Sequence, residues 1–293
     1  WSRLTIAGEN GQPTNNPDTI LPILQQHYEQ FFTTKLAAPG PPQEVELLAP
    51  FDNSHSVGLD KPFTALEVKN ALKLLKNHKA AGPNELKAEE IKYGARALAW
   101  EWATLYNTMF STKQKLTDIH QAHLIVINKS RTKLSPKDTR PITLLNFDRK
   151  LLELLLLLRI QPIIERAMHA EQSGYQQTRG TTEIIWAIRW LEAITEHFTC
   201  RYDVLAIDLS KAFDCVLRGT LFKYCKTILP RDAQRILRLL LSDTQIAIRA
   251  GKQIGDKFDT TIGVPQGGGL SPVLFILYLQ FTMQTANQNM LRR

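Results

Sequence analysis

The chain has 293 residues, 43% hydrophobic and 22% charged, with a net charge of +8. That leaves room for a large core, with two subdomains expected rather than one, and excludes a disordered or fibrous chain. The charge is uneven: residues 1–60 hold two basic and seven acidic residues, net −5, and the remainder holds 34 basic and 21 acidic, net +13. A body this basic suits a polyanion, nucleic acid first, over the plainer alternative of a soluble basic protein.

In chain order, residues 1–20 are polar and turn-rich. Leu21–Lys35 has a helical apolar stripe anchored by Tyr28, Phe31 and Phe32. Ala38-Pro-Gly-Pro-Pro42 breaks any helix and opens a linker to about Asp60. Thr64 and Glu67 make a capping box for a helix burying Val68, Ala71, Leu72 and Leu75. A basic run from Lys73 to Lys79 follows, suited either to the helix dipole or to phosphates. Ala88–Phe110 reads as one long helix, with Trp100 and Trp102. His123–Asn128 and Arg140–Leu145 read as strands joined by a basic tip from Lys129 to Lys137, a ribbon able to close over phosphates. Lys150–Ala167 is a leucine-rich helix, Gln172–Gly180 a polar loop, and Thr181–His197 a helix with Trp186 and Trp190 one turn apart. Two further helices fall at Leu221–Thr227 and Arg231–Ser242. Gln245–Ala250 and Lys257–Ile262 form a hairpin across a Gly251 to Gly255 turn.

Two stretches carry chemistry. Val204-Leu-Ala-Ile-Asp-Leu209 reads as a strand apolar on both faces, hence central, ending in one acid. Such an acid needs a positive partner, for which a divalent metal is one answer and a turn-forming Asp the other. Gly263-Val-Pro-Gln-Gly-Gly-Gly-Leu-Ser-Pro272 offers three consecutive glycines for positive φ and close ligand approach, with Ser271 as N-cap and Pro272 at the first helical position. A glycine loop feeding a helix can hold an anion. Cys200, Cys215 and Cys225 form no Cys-x-x-Cys, so neither a disulfide framework nor a zinc knuckle is expected; a reducing compartment, nucleus and cytoplasm, is. His120 and His123 read as surface histidines. The apolar runs Leu154–Leu158 and Pro272–Met283 are too short to cross a bilayer, so no membrane is expected.

Together these segments resemble the reverse transcriptase domain of non-LTR (LINE-type) retrotransposons, over about residues 65–280. The resemblance rests on five motifs in order: Lys79-Ala-Ala-Gly-Pro-Asn84, Arg140-Pro-Ile-Thr-Leu-Leu145, Gln172-Ser-Gly-Tyr175 with Arg179-Gly-Thr-Thr-Glu183, Ala206–Val216, and Gly263–Pro272 running into Val273-Leu-Phe275. It implies an RNA-directed DNA polymerase, with RNA template, DNA primer and dNTP as partners and no protein partner indicated. The implied fold is helix-rich α+β, a right-hand polymerase with fingers and partial palm and the thumb absent. The implied division is an N-terminal extension and linker over 1–60, fingers with part of the palm over 61–200, and an incomplete palm over 201–293. By motif position, Asp208 is the catalytic Mg²⁺ ligand (Mn²⁺ the alternative), joined by the carbonyl of Leu209. Phe213 lies under the sugar and selects dNTP, Arg140 and Lys129 hold the triphosphate, and Gln266 and Gly267 line the nucleotide pocket. Lys76, Lys79, Arg179 and Arg189 are candidates for the template backbone, and Asp214 is structural.

The sequence also departs from the family. It contains no Asp-Asp dipeptide, the motif that supplies the remaining carboxylates, and Gly268-Gly269, Gln176-Gln177-Thr178 and Asn84 differ from the usual residues. The chain starts at Trp1 rather than Met, so it is expected to be a piece of something longer, inactive alone. The rival readings are a group II intron-like reverse transcriptase, a nucleic-acid-binding remnant without chemistry, and a nucleotide-binding protein; the last is disfavoured because no Gly-Lys-Ser/Thr follows the glycines.

Overall fold

The structure, a computed structural model, describes residues 4–8, 10–33, 59–112, 117–130, 132, 134–176 and 179–291. The Ala38–Pro42 breaker and most of the linker lie outside these residues, as do Arg131 and Lys133 of the basic tip and Gln177-Thr178. The elements are β1 (Ile6–Ala7), β2 (Pro13–Thr14), α1 (Pro17–Thr33), α2 (Ala65–Leu74), α3 (Ala88–Lys92), α4 (Ala95–Thr112), β3 (Gln121–Asn128), β4 (Thr139–Leu145), α5 (Phe147–Ala167), α6 (Thr181–His197), α7 (Arg218–Ile228), α8 (Arg231–Leu241), β5 (Thr244–Ala250), β6 (Gln253–Thr260) and α9 (Ser271–Leu291). Helix and sheet are mixed, as an α+β chain requires.

Strands β3 to β6 form one sheet in the order β4-β3-β5-β6. β3 pairs antiparallel with β4, Ile127 opposite Arg140, and parallel with β5. Segments 61–200 and 201–293 therefore share a sheet. Period-two alternation turns Ala122, Leu124, Val126, Ile246, Ile248 and Phe258 to one face, where Ile20, Leu24, Tyr28 and Phe32 of α1 cover them. The Tyr28 hydroxyl bonds the Thr139 hydroxyl at 2.6 Å, and burial raises its pKa to about 12. A second, helical core joins α2, α4, α5, α7, α8 and α9 around residues such as Leu72, Tyr106, Leu151, Leu221, Ile236 and Leu274. The Thr64–Glu67 capping box forms in both directions, and Val68, Ala71 and Leu72 are fully buried.

The structure corrects several expectations. Val204–Leu209 is not a central buried strand. Among the described residues it has no ladder partner, and Val204, Leu205 and Ile207 are 65%, 85% and 76% exposed. Apolar alternation creates a demand for a sheet neighbour but does not supply one, and an unpaired strand has no backbone bonds to hold it. His120 and His123 are buried, not surface residues: His123 lies on β3, flanked by β4 and β5, and His120 directly precedes that strand. Burial and the nearby Arg249 push the His123 pKa down. The helix expected over 88–110 breaks at Tyr93-Gly94 into α3 and α4. The hairpin turn is Gly251-Lys252, with Gly251 at φ +65°, and Gly255 lies within β6. Ser271 is helical, and its hydroxyl donates to the Pro265 carbonyl instead of capping. Of the three consecutive glycines only Gly267 has positive φ.

Candidate functional site

The glycine loop is pinned on three sides. Gly263 N–H donates to the Val216 carbonyl at 2.8 Å and Val264 N–H to the Phe213 carbonyl at 2.9 Å, so the loop lies beside the turn that carries Phe213 and Asp214. On its other side the Gln266 carbonyl accepts from Thr143 N–H at 2.6 Å, which occupies the outer edge of β4. The Gln266 side-chain amide donates to Asp214 at 2.8 Å. Gly267, at φ +123°, leaves no room for a side chain: a Cβ would lie 2.5 Å from the Thr143 carbonyl oxygen. A Cβ on Gly268 would lie 2.6 Å from Glu153 Oε2. The chain needs glycine at Gly267 to pass beside β4.

Asp214 is 3% exposed, and burial raises its pKa to about 7, against the opposing pull of Lys211, the Gln266 hydrogen bond and Lys129. Burial also pushes Lys211 down, so desolvation outweighs the attraction between the two. Lys211 itself adopts φ +53° and places its ammonium 3.9 Å above the Phe31 ring of α1. Phe213 packs against Phe275 of α9, centroids 5.0 Å apart, and edge-on to Tyr175 at 6.1 Å.

Two buried cations brace this loop, and sequence reasoning missed both. Arg218, the first residue of α7, donates to the carbonyls of Leu241, Thr260, Ile262 and Gly263 and to the hydroxyls of Thr244 and Thr260. It ties the end of the β5–β6 hairpin to the start of the glycine loop, and burial pushes its pKa down to about 9. Arg149 pairs with Glu153 one turn on at 3.0 Å, both buried, and donates to the Ile119 carbonyl. Burial drives Glu153 up while Arg149 draws it down. An Arg and Glu at i, i+4 in a leucine-rich helix normally mark its wet face; the only available sign was the apolar residues flanking them. Asn146 is a third brace. Its side chain accepts from Asn84 N–H and donates to the Asp118 carbonyl, and Gly82 sits so close that a Cβ would meet Asn146 at 2.5 Å. Two sequence motifs, Lys79–Asn84 and Arg140–Leu145, thus meet at the start of α5.

The candidates fall into separate places. Gln266, Gly267 and Phe213 are brought together through the loop ladder, three β4 positions from the exposed Arg140. Lys129 is exposed, its backbone closing the ribbon by an N–H bond to the Asp138 carbonyl at 2.9 Å. Asp208 and Leu209 are exposed in the unpaired stretch that precedes the Phe213 turn. Lys76 and Lys79 are exposed after α2. Arg179 donates to the Ala170 carbonyl, and Arg189 pairs along α6 with Glu192 at 3.1 Å, both exposed. α6 also exposes Ile185, Trp186 and Trp190, the two indoles stacked at 6.3 Å.

Asp208 and the Leu209 carbonyl are the hard oxygen donors Mg²⁺ takes. Among the described residues no group of three or more His, Cys, Asp or Glu could hold a metal ion. No helix among the described residues is long and apolar enough to cross a membrane.

The family described as "Reverse transcriptase (RNA-dependent DNA polymerase)" matches residues 127–292. That span takes in β3, β4, the Phe213 turn and the glycine loop. The chain is 26% identical over 228 residues to the "Probable RNA-directed DNA polymerase from transposon BS" of Drosophila melanogaster, covering 74% of this chain and 24% of that protein. It is 27% identical over 230 residues to the "Probable RNA-directed DNA polymerase from transposon X-element" of the same fly, with the same two coverages, 74% and 24%. It is 29% identical over 155 residues to the "Retrovirus-related Pol polyprotein from type-1 retrotransposable element R2" of Popillia japonica, covering 50% of this chain and 22% of that protein. The chain therefore spans at most 24% of the length of these three relatives. The family match covers more than half the chain and includes the loop and turn whose geometry is described above: the chain belongs to the reverse transcriptase family.

Proposed function

We propose that this chain is the template- and nucleotide-handling part of an RNA-directed DNA polymerase that transfers a nucleotide from dNTP to a primer 3′-hydroxyl on an RNA template. The observation that carries the reading is the junction of Gln266 with Asp214 and Thr143, which gathers the glycine loop, the Phe213 turn and β4 into one rigid unit. Gln266 and Gly267 are the floor of the nucleotide pocket, fixed by backbone bonds and so spared reorganisation on binding. Phe213, wedged against Phe275, is the plate under the deoxyribose and excludes a 2′-hydroxyl. Arg140 and Lys129 are the cations for the triphosphate, Arg140 by a two-pronged guanidinium. Lys76, Lys79, Arg179 and Arg189 are non-specific contacts to the template backbone.

Asp208 and the Leu209 carbonyl are the residues that hold Mg²⁺, or Mn²⁺ in its place. A divalent cation held there would supply positive charge to the phosphate oxygens. One carboxylate is half of a two-metal set, and the 293 residues contain no Asp-Asp pair, so this polypeptide alone does not polymerise. In right-hand terms, 61–200 provides fingers with part of the palm and 201–293 a further part of the palm.

The test is paramagnetic broadening by Mn²⁺ with dNTP in amide spectra. Broadening at Leu209, Phe213 and Gly267 that Asp208→Ala removes is the expected result. Broadening indifferent to Asp208→Ala, or confined to other carboxylates, contradicts the assignment.

A further inference from the structure

The sheet has a second face, one register step from the face that α1 covers, and it carries Gln121, His123, Ala247, Arg249 and Lys257. At one end this face meets the turn at Pro83–Glu85 and closes a cleft of about 450 Å³. Three cations line it, Arg249, Lys252 and Lys257, against one acid, Glu85. Among the described residues, no ion pair engages any of the three. Arg249 spends its Nε on the Gly251 carbonyl and Lys257 one bond on the Gln121 side chain. A guanidinium carries five N–H donors and an ammonium three, so most remain available. The lowered pKa of His123 at the cleft floor, due first to burial and then to Arg249, reports the same positive field. Ala247 keeps the floor low. Beyond the cleft the face continues along β3 past Ile125 and the 42%-exposed Ile127 to Arg140, paired opposite Ile127. Cations thus stand at both ends of an open apolar strip, about 13 Å from His123 to Ile127 at the rise of a β-strand.

We propose that this cleft and strip bind the sugar-phosphate backbone of single-stranded RNA, with Arg249, Lys252 and Lys257 on phosphates and the isoleucines against sugars and bases. A small anion would need a closed cradle; a strip with cations at both ends fits a chain of phosphates. The inference deepens the proposed function, on whose RNA template it rests, by naming the surface that takes the unpaired strand.

The experiment is fluorescence anisotropy of an end-labelled single-stranded RNA oligonucleotide with the full 293-residue polypeptide across a salt series. Arg249→Gln, Lys252→Gln and Lys257→Gln are combined in one variant. Lys223→Gln, Lys226→Gln and Arg231→Gln, exposed on α7 and α8, form a charge-matched control. The cleft variant is expected to weaken binding about tenfold or more at about 0.1 M salt and to flatten the log–log salt slope by about 2, while the control changes it less than about threefold. Equal losses in both variants, or none in the cleft variant, overturn the cleft. Failure of the unmodified chain to bind RNA at all overturns the polymerase reading with it. A photocrosslinking strand on the unmodified chain covers the case of a misfolded variant. Crosslinks in 83–85 or 244–257 are expected, and crosslinks confined to other segments overturn the proposal.

Discussion

Replacing Asp214 by Asn is expected to stabilise the chain above neutral pH and to do little in acid. The carboxyl is buried, and its pKa stands at about 7 in place of the ordinary 3.8. Below about pH 4 it is neutral in both folded and unfolded chains, so the folded state bears no penalty there. As pH rises from about 4 to about 7 the unfolded chain releases the proton while the folded chain keeps it, and stability falls throughout that window. At about 1.4 kcal/mol per pH unit the full loss is about 4 kcal/mol, and about 2 kcal/mol once relaxation around the ion is allowed for. Asn does not ionise, yet it keeps a side-chain oxygen to accept from the Gln266 amide, the bond that Asp214 makes at 2.8 Å. Urea unfolding of both proteins, followed by tryptophan fluorescence at about pH 5 and about pH 8, reads the difference. The reasoning predicts a gain for Asp214→Asn of about 0.8 kcal/mol at the lower pH and about 2 kcal/mol at the higher one. A variant that loses more stability at the higher pH than at the lower would refute it, because the carboxylate would then be ionised in the fold and held by Lys211.

Other perturbations probe the braces around the same loop. Gly267→Ala puts a Cβ 2.5 Å from the Thr143 carbonyl oxygen at φ +123°. It should cost about 3 kcal/mol in thermal unfolding, and a neutral effect would mean the loop is not packed on β4. Arg218→Met leaves buried carbonyls without donors and should cost about 3 kcal/mol, with faster amide exchange along β5 and β6; unchanged exchange would remove Arg218 as the tie between hairpin and loop. Leu205→Lys with Ile207→Lys, at positions 85% and 76% exposed, tests in urea unfolding whether this stretch is solvent-facing. Stability should stay within about 0.5 kcal/mol; a loss of several would mean the stretch is buried after all.

What could be read from the sequence is what is local. The Thr64–Glu67 box, the β3–β4 ribbon and the hairpin before the glycine loop each follow from spacing within a few residues, and each forms. The glycine loop was legible as a place of close approach, but not which partner approaches: Thr143 and Glu153 are more than a hundred residues upstream of it. Asp214, Arg149 and Arg218 were unreadable for the same reason, since a charged side chain carries no mark of burial until distant segments enclose it. The stretch 204–209 misled in the opposite way. Its alternation is that of a central strand, but pairing is a property of two segments, and no described segment offers it an edge.

Primer extension tests the central claim most directly. With an RNA template, a DNA primer, dNTP and Mg²⁺, the 293-residue polypeptide should bind the template-primer and add no nucleotide, because the proposed metal site has Asp208 as its single carboxylate. Extension that Asp208→Ala abolishes would contradict the account, since a complete metal site would then have to exist within these residues.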